Sequence, residues 1–324
     1  MKEWCIKVDK NSAGKIIKKL RSVNLILDEC IIDHDEQFVY IPVKKDTGNC
    51  IKHDFKLKNT PENIIRSNLG LRVNNTPKFI KLGDSIIFNK NQRVNKRIAE
   101  VYCNAYHAKN AYIFTGKIKG KMRIPSIKFL CGKNEDTIIV ENGVKYALNP
   151  AKVMFSPGNI NIRTEMGKID FKDKTVIDMF CGIGYFSMPV LKYGNPKRLI
   201  ACDINPDSIE YFKRNLKLNR IIYEPEIFLG DSRAKCPDVS ADYIIMGNFE
   251  SPKFLAQALI HSHKGTLLSM HFLERREKIK RPEEIIKNAR RLGYIISVKN
   301  IKIVKSVSHE LVHVNSLFQV YNCL

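Results

Sequence analysis

The apolar positions of this chain change rhythm near residue 175. Before it, short alternating runs are separated by single helical stretches; after it, apolar strands and amphipathic helices follow one another regularly. Cys5-Ile6-Lys7-Val8 reads as a strand. Asp9 to Leu20 places apolar and basic residues at helical spacing, with Asn11 and Ser12 as candidate caps. Phe38 to Val43 is β-rich and ends at the turn sequence Lys44 to Gly48, and residues 45–75 are polar and Asn-rich, closing on a linker at Asn74-Asn75-Thr76-Pro77. Gly83 to Phe88 reads as turn then strand and Arg93 to Tyr106 as a helix. Ala111–Phe114, Ile127–Leu130 and Thr137–Val140 read as strands, with a hairpin turn at Glu141-Asn142-Gly143. From Val176 onward the alternation predicts a parallel sheet with right-handed crossovers. The expected fold is therefore α/β: a Rossmann-like domain with a mostly parallel sheet, preceded by two small α+β domains. The division expected is 1–60, 76–148 and 149–324.

Composition narrows the setting. At 324 residues the chain exceeds one minimal domain, and 44% hydrophobic with 27% charged residues suits a packed core under a soluble surface. No apolar run approaches the ~20 residues of a membrane span, and Met1-Lys2-Glu3-Trp4 opens no signal-peptide pattern; a cytoplasmic protein is expected. Nine cysteines without a CxxC pair argue for reduced thiols and against a zinc ribbon or a thioredoxin-like motif, and no metal is expected. The net charge of +22 points to a polyanion, and no long basic amphipathic helix favours a membrane surface over nucleic acid. Enrichment in Lys, Ile and Asn offers a compositional reading of the same excess. Lys117, Lys119, Lys121, Arg123 and Lys128 form a run without an intervening acid, read as an RNA-backbone contact against the alternative of a solvated face.

The chemistry concentrates at the strand ends. Val176-Ile177-Asp178 is a short apolar strand ending in an acid, and Cys181-Gly182-Ile183-Gly184 then turns into an amphipathic helix through Leu191. Glycines there let backbone N–H groups approach a ligand. A dinucleotide site is disfavoured, because Tyr185 and Phe186 follow Gly184 in place of a third glycine and Asp178 would repel a pyrophosphate. S-adenosylmethionine (AdoMet), with its ammonium and sulfonium, suits an acidic strand end. Arg198 to Cys202 ends at Asp203, placed to accept from a ribose diol, and Ile227 to Gly230 ends at Asp231, placed to accept from an adenine amine. Acids at three successive strand ends carry the assignment. Asp242 precedes its strand and reads as a cap or turn.

With these motifs in place, the chain resembles the archaeal and eukaryotic tRNA guanine N1-methyltransferases and their relatives, the wybutosine-pathway tRNA aminocarboxypropyltransferases. The resemblance lies in Asp178-Met179-Phe180-Cys181-Gly182-Ile183-Gly184-Tyr185-Phe186 and in the upstream Met154-Phe155-Ser156-Pro157-Gly158-Asn159 with Arg163. It implies AdoMet as cofactor, tRNA as partner, and modification of the purine 3′ of the anticodon. It implies cofactor contacts from Phe155, Ser156, Asp178, Phe180, Gly182, Gly184, Asp203, Ile204, Asp231, Ser232, Gly247 and Asn248, with Arg163 as a catalytic candidate; Glu250, in the loop 247–252, is the nearest candidate for the base that N1 methylation needs, against the alternative of a solvated loop acid. Met246-Gly247 and Arg233 resemble the aminocarboxypropyltransferases; the methyltransferases carry Asn-Leu-Pro or Asn-Pro-Pro where Gly247-Asn248-Phe249 stands. Residues 4–44 resemble the methyltransferases' small N-terminal domain and point the other way. Leu311-Val312-His313-Val314 resembles the aminocarboxypropyltransferase terminal strand, whereas Ser269-Met270-His271-Phe272 departs from its His-Tyr-His stretch; neither histidine is assigned chemistry. Aminocarboxypropyl transfer is the favoured reading, with guanine N1 methylation and a non-catalytic tRNA-binding protein as alternatives. A monomer without an obligatory protein partner is expected.

Overall fold

The computed structural model describes residues 1–70, 76–116, 118, 120–133, 135–279 and 282–323. Asn74 and Asn75 of the expected linker, and Lys117 and Lys119 of the basic run, lie outside the described residues. Two compact units emerge. One comprises Met1–Ile80, Ser85–Tyr112 and Leu130–Lys133, and the other comprises Lys81–Asp84, Ile113–Phe129 and Asn134–Leu324.

In the first unit, strand Lys2–Asp9 pairs antiparallel with both Phe38–Pro42 and Ile51–Asp54. Helix Lys10–Ser22 buries Ala13 and Leu20 with Val8, Ile26, Ile41 and Val43. That helix begins at Lys10, so Asn11 and Ser12 lie inside its first turn and Asp9 is the boundary residue. The polar, Asn-rich stretch before the expected linker, for which the sequence predicts no element, holds strand Ile51–Asp54 and helix Pro61–Leu69. Thr60 Oγ1 accepts from Asn63 N at 3.3 Å, Pro61 opens the helix, and Gly70 closes it at φ 63°. These are strong end signals around a short polar helix, and the polarity masked it. Helix Lys96–Ala105 follows, with Asn95 Oδ1 accepting from Ile98 N at 2.9 Å.

The second unit opens its main run with an antiparallel hairpin, Thr137–Glu141 against Val144–Leu148. Asn142 and Gly143 both take positive φ, 48° and 77°, as a two-residue turn between strands requires. The free edge of this hairpin is matched by side chains. Asn215 Oδ1 accepts from Ala147 N at 2.8 Å, while Asn219 exchanges both bonds with Lys145, at 2.8 and 2.6 Å.

The catalytic sheet has seven strands: β1 (Thr175–Asp178), β2 (Arg198–Asp203), β3 (Glu226–Leu229), β4 (Ala241–Met246), β5 (Ser262–Arg275), β6 (Tyr294–Ser306) and β7 (Leu311–Cys323). Their order is β3-β2-β1-β4-β5-β7-β6. The first five in that order pair parallel, and β7 inserts antiparallel between β5 and β6. Leu199, Ile200, Ala201 and Cys202 are all fully buried, as an unbroken apolar strand covered on both faces requires. The core joins Ile177, Ile200 and Ile244 to Leu268 and Phe318.

Around the sheet lie α1 (Ile160–Met166), α2 (Ser187–Pro189), α3 (Pro206–Leu218), α4 (Ser232–Lys235), α5 (Leu255–Ile260) and α6 (Glu283–Arg291). The amphipathic helix expected through Leu191 is divided: α2 is short and runs into a wider π turn, Val190–Gly194. Pro189 supplies no N–H at that point, which removes one ladder bond and favours the looser winding. Asp242 lies within β4, where it accepts from Thr175 N at 2.8 Å and pairs with Lys174 and His263. Among the described residues no helix is long and apolar enough to cross a membrane.

Candidate active site

The sheet order reverses between β1 and β4, and open α/β sheets bind ligands in the crevice outside the strand ends at such a point. Three acids gather there. Asp178, at the end of β1, is fully buried. Its oxygens accept from Ser187 Oγ at 2.7 Å and Phe180 N at 3.3 Å, so it holds the glycine turn from beneath. Burial pushes its carboxyl up to about 7, with the charge of Asp203 adding to the effect. Asp203, half-buried at the end of β2, accepts from Gly182 N and from Asn205 N, each at 2.8 Å. Burial raises its carboxyl also. Asp231 caps α4 and is gripped by Arg233 at 2.6 and 3.0 Å, which holds its carboxyl below the usual range. Ser232 is buried beside it, and its hydroxyl has no partner among the described residues.

The turn itself demands glycine. Gly182 and Gly184 take φ of 55° and 91°, and a Cβ on Gly184 would come within 2.6 Å of the Phe212 ring. Backbone thus passes where a side chain has no room, leaving N–H groups at the strand ends. Ile204 is half-buried beside Asp203, and the Phe180 ring packs edge-on to Phe254 at 4.7 Å.

Over this turn runs the strap 154–159. The Tyr185 hydroxyl donates to Met154 O. The half-buried Phe155 ring packs against Tyr146 and Tyr185 at 6.0 and 5.7 Å. Arg163, only 2% exposed, donates to both oxygens of Glu141 at 2.6 and 2.9 Å and to Ser156 O at 3.1 Å. Its guanidinium is engaged on the hairpin rather than presented free in the cleft. The sequence reading had Glu141 only as a turn residue; a carboxylate 22 positions upstream gives no local sign of this pairing.

The β4 side is built differently. Gly247 closes the strand where a Cβ would meet the Phe186 ring at 2.8 Å, and Phe186 is 2% exposed, so it cannot swing away. Asn248 Oδ1 accepts from Glu250 N at 3.0 Å, and Glu250 is exposed and ion-paired to Lys253. Phe249, His271 and His313, to which the sequence assigns no chemistry, converge here. Phe249 packs edge-on to His313 at 4.7 Å, and His313 Nε2 lies 2.8 Å from His271 Nδ1. Both histidines are buried, each with one unpartnered ring nitrogen, and burial pushes them down to about 3 for His271 and about 4 for His313, so both are neutral. Arg123 lies 5.4 Å from the Phe249 centroid, and Lys305 Nζ donates to Ser156 Oγ at 3.1 Å.

Strand-end acids around a glycine turn at the switch point of this sheet define a Rossmann-like AdoMet-dependent transferase domain. The chain belongs to the TRM5/TYW2 family: residues 137–298 match the TRM5/TYW2 methyltransferase domain, and residues 5–51 match the tRNA methyltransferase 5 N-terminal domain. It is 31% identical over 243 residues to the tRNA(Phe) (4-demethylwyosine(37)-C(7)) aminocarboxypropyltransferase of Methanocaldococcus jannaschii, covering 73% of this chain and 95% of that protein. It is 29% identical over 276 residues to the tRNA (guanine(37)-N(1))-methyltransferase Trm5b of the same organism, covering 77% and 79%. The structure of Pyrococcus horikoshii TYW2 in complex with MeSAdo superposes with a TM-score of 0.71 at 28% identity, covering 80% of this chain and 99% of that one.

Proposed function

We propose that this chain transfers the 3-amino-3-carboxypropyl group of AdoMet to C7 of 4-demethylwyosine at position 37 of tRNA. The observation that carries this reading is Gly247. The methyltransferases it resembles carry an Asn at this position, and here the Phe186 ring occupies the space such a side chain needs. N1 methylation also requires a base for the N1 proton, and Glu250, the candidate for that role, is an exposed acid paired with Lys253.

The site residues fit AdoMet on the chemistry of the donor set. Asp178 and Asp203 are carboxylates held above their ordinary range by burial, which a cationic ligand would relieve. Asp203 would accept from the ribose, Asp231 from the adenine amine, and the unpartnered Ser232 hydroxyl is an available polar contact at that end. Phe155, Ser156, Phe180, Gly182, Gly184, Ile204, Gly247 and Asn248 would complete the cofactor-contacting walls. AdoMet supplies an electrophilic carbon attached to a neutral thioether leaving group, so the residues need mainly to position and to exclude water. Arg163, tied to Glu141 and Ser156, would act by fixing the strap. Residues 1–60 would read the tRNA, with 76–148 and 149–324 as middle and catalytic domains, in a cytoplasmic monomer that needs no protein partner.

One observation favours a second reading, methylation of guanine N1: the match of residues 5–51 to the tRNA methyltransferase 5 N-terminal domain. Mass spectrometry of nucleosides decides, using unmodified tRNA(Phe) and tRNA(Phe) carrying 4-demethylwyosine. An aminocarboxypropyl gain on the precursor is expected. A methyl gain on guanosine with no change to the precursor would replace the reading.

A further inference from the structure

We propose that Cys103 and Cys131 form a redox modification site: they close to a disulfide by exchange with a low-molecular-weight disulfide, and the bond staples the first unit where the chain leaves and re-enters it. The proposal is independent of the reaction proposed above.

The geometry is local to that unit. Cys103 lies in helix Lys96–Ala105 and Cys131 in strand Ile127–Gly132, and their sulfurs are 3.9 Å apart. A disulfide bond is about 2.05 Å long, so the sulfurs must close by roughly 1.9 Å, which rotation about χ1 of the half-buried Cys103 can supply. The backbone on both sides is already fixed. Cys103 O accepts from Ala108 N at 2.8 Å, which holds the end of the helix. Beside Cys131, Gly132 takes φ 111° where a Cβ would run into Lys109 O, and Lys133 N donates to Asn110 Oδ1 at 3.2 Å. The folded chain therefore has little left to order, and the bond acts mainly by constraining the unfolded one.

The position gives the bond its effect. The unit contains Ser85–Tyr112 and Leu130–Lys133, whereas the intervening 113–129 belongs to the other unit. Cys131 is the second residue after the return, and Cys103 lies in the helix before the exit. A bond between them closes 104–130 into a covalent loop. The returning segment is only four residues long and has few contacts of its own to hold it.

Access is one-sided, because Cys131 is buried and Cys103 only half-buried. Exchange therefore begins at Cys103. Its thiolate attacks one sulfur of the external disulfide RSSR, a mixed disulfide forms, and one RS⁻ leaves and takes up the Cys103 proton. Cys131 then gives up its proton and attacks Cys103 Sγ, and the second RS⁻ leaves and takes up that proton. Two thiols and RSSR become one protein disulfide and two RSH. Burial pushes the Cys103 thiol up to about 12 and raises that of Cys131 as well, with the charge of Glu100 adding at both. Neither sulfur is a ready nucleophile at neutral pH, so the pair responds to sustained oxidation and not to brief exposure.

The test uses the full chain, reduced and then equilibrated without denaturant in oxidised glutathione at mildly alkaline pH. Remaining thiols are alkylated, and the protein is digested and mapped by mass spectrometry. We expect a peptide pair joined through Cys103 and Cys131, lighter by the two thiol hydrogens and separated by reductant. The oxidised chain should melt roughly 5 °C above the reduced one. That rise should vanish in Cys103→Ser and in Cys131→Ser, and Cys103→Ser should otherwise melt with the reduced parent. Cys131→Ser should trap the first step as one glutathione on Cys103. Cys103 and Cys131 recovered as free thiols, or each carrying its own glutathione, would overturn the proposal. A linked chain that melts no higher than the reduced one would overturn the staple. Linkage that forms only in denaturant would also sink it, because the fold would then not be what brings the sulfurs together.

Discussion

Across the strand ends of the catalytic sheet, the β1–β3 side presents carboxylates, whereas the β4–β7 side presents aromatic rings, neutral histidines and the cations Arg123 and Lys305. The acids arise from local rules: each stands at or just past the end of a parallel strand, where backbone N–H groups of the following turn donate to the carboxylate. The other side draws residues 123, 249, 271, 305 and 313 from separate turns and strands. One side carries carboxylates and the other cations, so the two halves differ in the charge of the ligand each would favour. The difference teaches that the acidic half can be written in consecutive motifs, while the other half is a product of tertiary assembly.

The sharpest way to break this division is to remove Glu141. Arg163 would then be a buried guanidinium without its carboxylate, and a loss of about 3–5 kcal/mol is expected, read as a lowered denaturation midpoint. Loss of only ~0.5 kcal/mol would mean that Arg163 escapes to water and does not anchor the strap. Next in size is a pH effect on the acid side. The folded-state pKa of Asp178 is raised to about 7, so between about pH 4 and 7 the folded chain binds more protons than the unfolded one. Stability without cofactor should therefore fall as pH rises through that window, by roughly 2–4 kcal/mol at most, and level off above it. Asp178→Asn should flatten the melting curve's pH dependence there; an unchanged slope would assign it to other groups. The smallest effect expected is on the cofactor itself. Asp203→Ala should weaken AdoMet by about 1–3 kcal/mol in calorimetry, and unchanged binding in a folded variant would remove Asp203 from the site.

Legibility followed the same division. Asp178 and Asp203 stand at strand ends where the apolar pattern put them, Asp231 stands two residues past β3 as the cap of α4, and the Asn142-Gly143 turn formed as its composition required. The family followed from the glycine turn together with the 154–163 segment. Helix Pro61–Leu69 was hidden by its polar surface although its caps are plain in the sequence. The partner of Arg163 and the surroundings of Arg123 were not legible, because both depend on chain segments meeting from a distance. Arg123 was visible only as one member of a charge run. What sets it apart from the lysines around it is a backbone angle and a neighbouring ring, neither of which is written in composition.

Asn215 and Asn219 give the hairpin a further property. They stand one helical turn apart, Asn215 in α3 and Asn219 at its C-terminal cap, and exchange hydrogen bonds with alternate residues of strand Val144–Leu148, much as another strand would. An uncovered edge is a template on which a foreign strand can add and aggregation can begin. Here two amide side chains imitate a strand and occupy that template, so the edge is closed without enlarging the sheet. Crowding in the cell should thus find little to recruit along this border.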